Sequence, residues 1–325
     1  MKAVFLLPPI QGIPTGGNRY NEALLRRLDA SVWRRVVWGT PEADAPWPAD
    51  AVVLVDSLLT VDPGVWAMLQ KRIGSRSTAL LAHYLAACDP AAPAFGAPVP
   101  RCDRYIAPSR FMRDGLVRCG VEPARIAVAY PGLERPPPPP ARAFSGPVRV
   151  LTVASQLPVK GLLEAVDALA PLSNRDWQWD IVGDDALDRA YSRRLADAVA
   201  ASPLRGRIRL LGPLPPEAMP DRYAAADLLL APSRFESLGM AIREAMASGL
   251  PVIAFAVGGV PESVATGESG LLAPAGDLPA LAEATRRLLD DPALRRRLGE
   301  GARAASRAFP GWDAAADVVQ RHLAI

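Results

Sequence analysis

The chain has 325 residues, half of them hydrophobic and 22% charged, with 37 basic against 34 acidic side chains. That mixture excludes an intrinsically disordered protein, and a net charge of +3 is too balanced for a dedicated nucleic-acid binder. Three cysteines, Cys88, Cys102 and Cys119, with no C-x-x-C spacing exclude a cysteine metal cluster and a disulfide framework, which points to a reducing cytoplasm.

The N-terminal segment MKAVFLLPPIQGIPTGG carries one lysine and a short apolar run broken by Pro8 and Pro9. It is too short and lacks the cleavage site of a secretory signal, so it reads as a first β-strand. No apolar run approaches the roughly 20 residues of a membrane-spanning helix. Strand candidates follow as RVVWG, AVVLVD, TALLAHY, RYIAPS and RIAVAYPG, with helical segments such as NRYNEALLRRL and SRFMRDGLVRCG between them. RPPPPP at 135–140, continuing to Pro147, favours extended backbone and cannot enter a helix or a central strand. It reads as a semi-rigid linker.

After it the alternation resumes. The strands are VRVLTVAS, WQWDIVG, RIRLLG, DLLLAPS, PVIAFAV and GLLAP; the helices include GLLEAVDALAPL, DRAYSRRLADAVAAS and GMAIREAMASG. Near-continuous apolar strands alternating with helices predict parallel sheets covered on both faces. The fold class expected is α/β, with two Rossmann-like domains over 1–135 and 148–311, a linker at 136–147 and a C-terminal segment at 312–325. A single large α/β domain is the alternative. The first 140 residues hold 16 basic and 12 acidic side chains, the remainder 21 and 22. A mildly basic first half suits either an ordinary solvated surface or peripheral contact with an anionic membrane face.

Ligands of open parallel sheets bind beyond the carboxyl ends of the strands, so chemistry is sought there. Gly16 and Gly17 precede the first helix, where bare backbone N–H groups suit a phosphate; a plain turn is the other reading. His83 ends the strand TALLAHY, a place for a proton carrier or hydrogen-bond partner, or for a structural histidine. Lys160 is one of three lysines against 34 arginines, which singles it out. In the loop SQLPVKG it is placed to meet a phosphate oxygen, or to be an ordinary surface lysine. In PSRFESLGMAIREAMASG, Glu236 precedes a helix whose start is at Leu238 and Gly239, and Glu244 falls on its small, apolar face. A carboxylate there needs partners, either sugar hydroxyls or a cap and a salt bridge. Together these residues point to a nucleoside-diphosphate sugar rather than to glycosidase chemistry.

Residues 232–262, PSRFESLGMAIREAMASGLPVIAFAVGGVPE, resemble the signature of the family-4 retaining glycosyltransferases. The likeness extends to CDRYIAPSRFMRDGLVRCGVEPARIAVAYPGLE, the Lys160 loop, WDIVGDD, RIRLLGPLP and ESGLLAP. It implies a GT-B fold, two Rossmann-like parallel-sheet domains facing a central cleft. The first would be the acceptor domain and the second the donor domain, with the last helix, about 312–325, packing back on the first. It implies sugar transfer from a nucleoside-diphosphate sugar, UDP favoured and GDP next, to an acceptor hydroxyl with retention. His83, Lys160 and Glu236 would be catalytic. Donor contacts would come from Gly16, Gly17, Ser155, Gln156, Lys160, Gly183, Leu211, Glu236, Ser237, Leu238, Gly239 and Glu244. No cofactor and no metal are expected; the partners are the donor and a carbohydrate, lipid-linked or small-molecule acceptor, without nucleic acid. Gln156 stands where many members carry an arginine, and Gly183–Asp185 replaces the usual G-x-G. The alternatives are a nucleotide-sugar 2-epimerase or hydrolase, a binding subunit without turnover, and a phosphorylase, which the scarcity of lysine disfavours.

Overall fold

The computed structural model describes residues 2–9, 15–90, 92–134 and 146–325. Most of the expected linker at 136–147 therefore lies outside the described residues. The described chain divides into two compact units. One joins the N-terminal strand, Gly17–Gly132 and Pro310–Ile325; the other is Leu133–Phe309, with which Gly16 is counted.

The sheet of the first unit contains β1 (Ala3–Leu7), β2 (Trp33–Val37), β3 (Val52–Asp56), β4 (Thr78–Leu81), β5 (Arg104–Ala107) and β6 (Ile126–Val128). All pair in parallel, in the order β2-β1-β3-β4-β5-β6. The continuous apolar strands are covered on both faces: no residue of Ala3–Leu7 is more than 3% exposed. Each such Leu or Phe contributes about 1.5–3 kcal/mol by leaving water. Helices α1 (Gly16–Leu25), α2 (Pro41–Asp44), α3 (Pro63–Ile73) and α4 (Arg110–Arg118) supply the connections. The start of α3 is set by Asp62, whose carboxylate accepts from the N–H groups of Gly64 and Val65, and by Pro63 in the first turn.

The sheet of the second unit contains β7 (Val148–Val153), β8 (Trp177–Val182), β9 (Ile208–Gly212), β10 (Leu228–Ala231), β11 (Val252–Phe255) and β12 (Gly270–Ala273). The order is β12-β11-β10-β7-β8-β9, again all parallel. Its helices are α5 (Leu162–Leu169), α6 (Arg189–Ala201), α7 (Met219–Ala225), α8 (Met240–Ala247), α9 (Leu278–Asp290) and α10 (Pro292–Ser306). Trp177 and Trp179 are fully buried and stack 6.4 Å apart. Their indole N–H groups donate to Leu172 O and to Thr152 Oγ1, both at 2.9 Å, so neither is left unpaired.

The last helix, α11 (Trp312–Leu323), packs on β5 and β6 of the first unit. Gly132 makes this possible, since a Cβ there would lie 2.2 Å from the backbone N of Trp312. The Trp312 ring meets Tyr20 edge-on at 5.4 Å, and the Tyr20 hydroxyl donates to Ala129 O at 2.9 Å. No helix among the described residues is long and apolar enough to cross a membrane.

In each sheet the strand order reverses at one place. Strand β1 has β2 on one side and β3 on the other, and β7 has β8 on one side and β10 on the other. In open parallel sheets ligands bind beyond the carboxyl ends of the strands at such switch points.

Candidate active site

At the switch point of the second unit two loops are latched together. The loop after β7 makes a 3-10 turn at Pro158–Lys160 and then turns at Gly161 with φ +64°. Only glycine suits this position, because a Cβ would lie 2.2 Å from Pro232 O in the loop after β10. The Arg234 N–H donates to Val159 O at 2.8 Å and completes the latch. As a result Lys160 Nζ reaches Glu236 Oε1 at 2.6 Å. The Ser233 hydroxyl donates to the same oxygen at 2.8 Å. The Lys160 and Glu236 side chains are 22% and 18% exposed, so the pair is largely withdrawn from water. Such a charge-assisted contact is roughly twice as strong as a neutral hydrogen bond.

The loop after β11 closes on the other side of Glu236. A Cβ at Gly258 would lie 1.8 Å from Glu236 O, and the Gly259 N–H donates to that carbonyl at 2.9 Å. Ser237 is half-buried and Leu238 is 1% exposed. Gly239, at φ +88°, turns the chain into α8. The first turn of α8 therefore presents N–H groups directly after the Glu236 loop, where an anion is favoured. Further along α8, Glu244 is half-buried, and its Oε2 accepts from the Tyr223 hydroxyl of α7 at 2.8 Å.

The remaining expected residues of this unit have backbone or packing contacts. Gln156 is 2% exposed, and its N–H donates to Asp184 O at 2.7 Å, tying the loop after β7 to the loop after β8. Ser155 beside it is half-buried. Gly183 lies so close to β7 that a Cβ would come within 1.9 Å of Ala154 O. Leu211 on β9 is half-buried against the apolar core. Asp184 Oδ1 accepts from the N–H groups of Ala186 and Leu187 at 2.9 and 2.8 Å, which commits it to a turn. Asp290 pairs with Arg175 and Arg286, and Asp291 caps α10. Among the described residues no group of three or more His, Cys, Asp or Glu side chains could hold a metal ion.

In the first unit His83 follows β4 and is 9% exposed. Its Nε2 lies 2.8 Å from Asn21 Oδ1, and Asn21 Nδ2 donates to Asp56 Oδ2 at 2.6 Å. Tyr20 stands edge-on to the imidazole at 5.0 Å. Gly17 borders the ring, since a Cβ there would be 3.4 Å from His83 Cδ2, whereas Gly16 is exposed at the first position of α1. Burial holds the imidazolium of His83 below its ordinary range, against the smaller pull of Asp56. Sequence reasoning missed Asn21, Asp56, Ser233 and Tyr223. Asp56 carried a signal, a carboxylate closing the apolar strand VVLVD at its ligand-binding end.

Residues 139–305, just over half of the chain, match the profile of the family Glycosyl transferases group 1. The chain belongs to this family. The expected family-4 likeness is thereby borne out. The D-inositol 3-phosphate glycosyltransferase of Corynebacterium efficiens is 37% identical over 204 residues, 59% of this chain and 47% of that protein. The enzyme of the same name from Streptomyces bingchenggensis is 34% identical over 237 residues, 67% of this chain and 52% of that protein. The alpha-D-kanosaminyltransferase of Streptomyces kanamyceticus is 35% identical over 155 residues, 47% of this chain and 39% of that protein. The chain thus spans about half the length of the curated relatives it matches, here 47% and 52% for the first two. Among solved structures, sucrose-phosphate synthase from Thermosynechococcus elongatus superposes with a TM-score of 0.79 at 23% identity, over 99% of this chain and 98% of that one. Anabaena HepE in complex with UDP and glucose gives 0.76 at 18% identity, over 100% and 99%. The two parallel sheets are those of the GT-B fold.

Proposed function

We propose that this glycosyltransferase-family chain moves a sugar from a UDP-sugar to an acceptor hydroxyl with retention of configuration, and that it needs no metal. The observation that carries this reading is the Lys160–Glu236–Ser233 cluster at the β7/β10 switch point, placed directly before the N-terminus of α8. Relatives named as glycosyltransferases and a fold neighbour solved with UDP and glucose support it.

In this reading the cation and the helix N–H groups meet the diphosphate and stabilise it as it leaves. Lys160 turns from Glu236 toward a β-phosphate oxygen. Glu236 then accepts hydrogen bonds from hydroxyls of the transferred sugar, and Glu244, already oriented by Tyr223, takes the ribose hydroxyls. The backbone at Leu238 and Gly239, and that of Gly16 and Gly17, faces phosphate oxygens. Ser155, Gln156, Gly183, Ser237 and Leu211 shape the nucleoside side. The acceptor oxygen attacks from the face the leaving group departs, and a phosphate oxygen takes its proton, so no protein base is assigned. His83 holds a hydroxyl near the reacting carbon. The donor domain is 148–311 and the acceptor domain 1–135.

The test is a transfer assay in EDTA with UDP-glucose, UDP-N-acetylglucosamine and GDP-mannose, using D-inositol 3-phosphate as the first acceptor and monosaccharides and lipid-linked sugars next. The expected result is a glycoside with the anomeric configuration of the donor, read by NMR. An inverted product, or a strict requirement for Mg²⁺ or Mn²⁺, overturns the mechanism. Free sugar as the only product assigns a hydrolase instead.

A further inference from the structure

The environment of His83 contains more than a side chain near a strand end. Its Nε2 faces Asn21 Oδ1 at 2.8 Å and lies 3.8 Å from Asp56 Oδ2. Both neighbours are buried, Asn21 at 2% and Asp56 at 0% exposure. An amide has one end that donates and one that accepts, so its orientation decides which form of the imidazole fits. Here the donating end is fixed by Asp56. Its Oδ2 takes the Asn21 Nδ2 hydrogen at 2.6 Å, while its Oδ1 takes the Leu58 N–H at 2.8 Å. A carboxylate that accepts on both oxygens cannot serve the amide oxygen as a donor. The Asn21 oxygen is therefore turned toward His83, and an oxygen can only accept.

It follows that Nε2 carries a hydrogen. Burial keeps the ring neutral, so Nδ1 has a lone pair and no hydrogen. Nδ1 makes no hydrogen bond with any described residue, while Gly17 and Tyr20 confine the ring on its other edges.

We infer that Asn21 and Asp56 are positioning residues that lock His83 in the Nε2–H tautomer, so that Nδ1 accepts a hydrogen bond from a ligand hydroxyl. This rests on the reading that a sugar reaches His83. It sharpens that reading in one respect. A lone-pair acceptor recognises an O–H group and repels a phosphate or carboxylate oxygen. His83 is thus assigned to a neutral hydroxyl of the donor sugar, and not to the diphosphate. The three residues act as a relay of orientation: Asp56 sets the amide, the amide sets the imidazole, and the imidazole sets the polarity of the contact.

The chain has only two histidines, His83 and His322, which makes the test direct. The full-length protein is labelled with ¹⁵N-histidine, and the ring nitrogens are read by long-range ¹H–¹⁵N correlation. His322→Gln assigns the two sets. The expected wild-type result is a pyridine-like Nδ1 and a pyrrole-like Nε2 for His83. Asn21→Leu and Asp56→Asn should each pull both nitrogens toward averaged positions, the mark of mixed tautomers, with His322 unmoved. A pyrrole-like Nδ1 in the wild type overturns the inference, as does an unchanged His83 pattern in both variants. Should Asn21→Leu fail to fold, the wild-type spectrum and Asp56→Asn decide the matter.

Adding UDP-glucose should shift Nδ1 away from its pyridine-like position, and UDP alone should not. UDP-glucose that binds by calorimetry without moving Nδ1 removes the hydroxyl assignment. Failure of UDP-glucose to bind counts against the proposed donor, and the unliganded spectrum still settles the tautomer.

Discussion

Glu236→Gln should tighten the binding of UDP while lowering sugar transfer. In the unliganded protein Lys160 is held by Glu236 at 2.6 Å, with the two side chains 22% and 18% exposed. A diphosphate that takes Lys160 must first separate this pair. Exposed pairs contribute about 0–1 kcal/mol, whereas breaking a buried pair costs about 3–5 kcal/mol. The largely covered pair here falls between, at about 1–2 kcal/mol. Glutamine keeps the shape of the side chain and the Ser233 contact but removes the charge that holds the lysine. UDP has no transferred sugar, so it loses no Glu236 contact on substitution. The predicted gain in UDP affinity is roughly 5- to 30-fold. Lys160→Met should act in the opposite direction, losing a charge-assisted contact of about 1.5–3 kcal/mol, roughly ten- to a hundredfold in affinity. Calorimetric titration of UDP into wild type and both variants, without metal, reads both effects. A Glu236→Gln protein that binds UDP more weakly than wild type refutes the reasoning, because Glu236 would then hold the nucleotide and not compete for its partner.

Further outcomes follow from single contacts. Gly258→Ala places a Cβ 1.8 Å from Glu236 O at a residue with φ +55°; a stability loss of about 1–3 kcal/mol is expected from backbone strain alone, and an unaltered denaturation midpoint contradicts it. Tyr223→Phe removes the hydroxyl 2.8 Å from Glu244 Oε2; a several-fold weaker UDP affinity with a small change in stability is expected, and unchanged UDP binding argues that Glu244 does not touch the ribose. Burial lowers the pKa of both His83 and His322 in the folded chain. The unfolded chain, with its histidines near 6.5, binds more protons below that value, so stability should fall as pH drops below about 6.5, by up to about 1.4 kcal/mol per pH unit for each histidine. Urea denaturation from pH 7.5 to 5.5 checks this, and a flat profile contradicts it. Gly132→Ala should dislodge the start of α11 and open it to limited proteolysis; an unchanged cleavage pattern shows that the helix accommodates the methyl group.

The fold was legible because parallel strands buried on both faces leave a simple trace. AVFLL, LLLA and VIAF are apolar throughout, and each is a strand of the structure. The loops that carry Lys160 and Glu236 were legible too, because they stand immediately after such strands. The contacts inside the site were not. Lys160 and Glu236 are 76 positions apart, Tyr223 and Glu244 are 21 apart, and Asn21 and Asp56 are 35 apart. No helical or strand periodicity spans those separations, so only strand order could have paired them. The reversal of order at β7 and β10, which brings the first pair together, is a property of the whole sheet and of no local segment. Gly161, Gly183 and Gly258 had the same fate: each is a glycine because of a distant carbonyl.

The return of α11 to the first unit has a consequence for synthesis on the ribosome. Gly132 and Trp312 are adjacent in space, yet 180 peptide bonds separate them, and the whole of Leu133–Phe309 must be translated between them. At about 5–20 residues per second this interval is roughly 10–35 s. For that time the nascent first unit lacks the helix that covers β5 and β6 and stacks on Tyr20, while the contiguous second unit can complete its sheet. The later part of the chain is thus placed to mature before the earlier part, and a premature stop codon near the end of the message would damage the half that was made first.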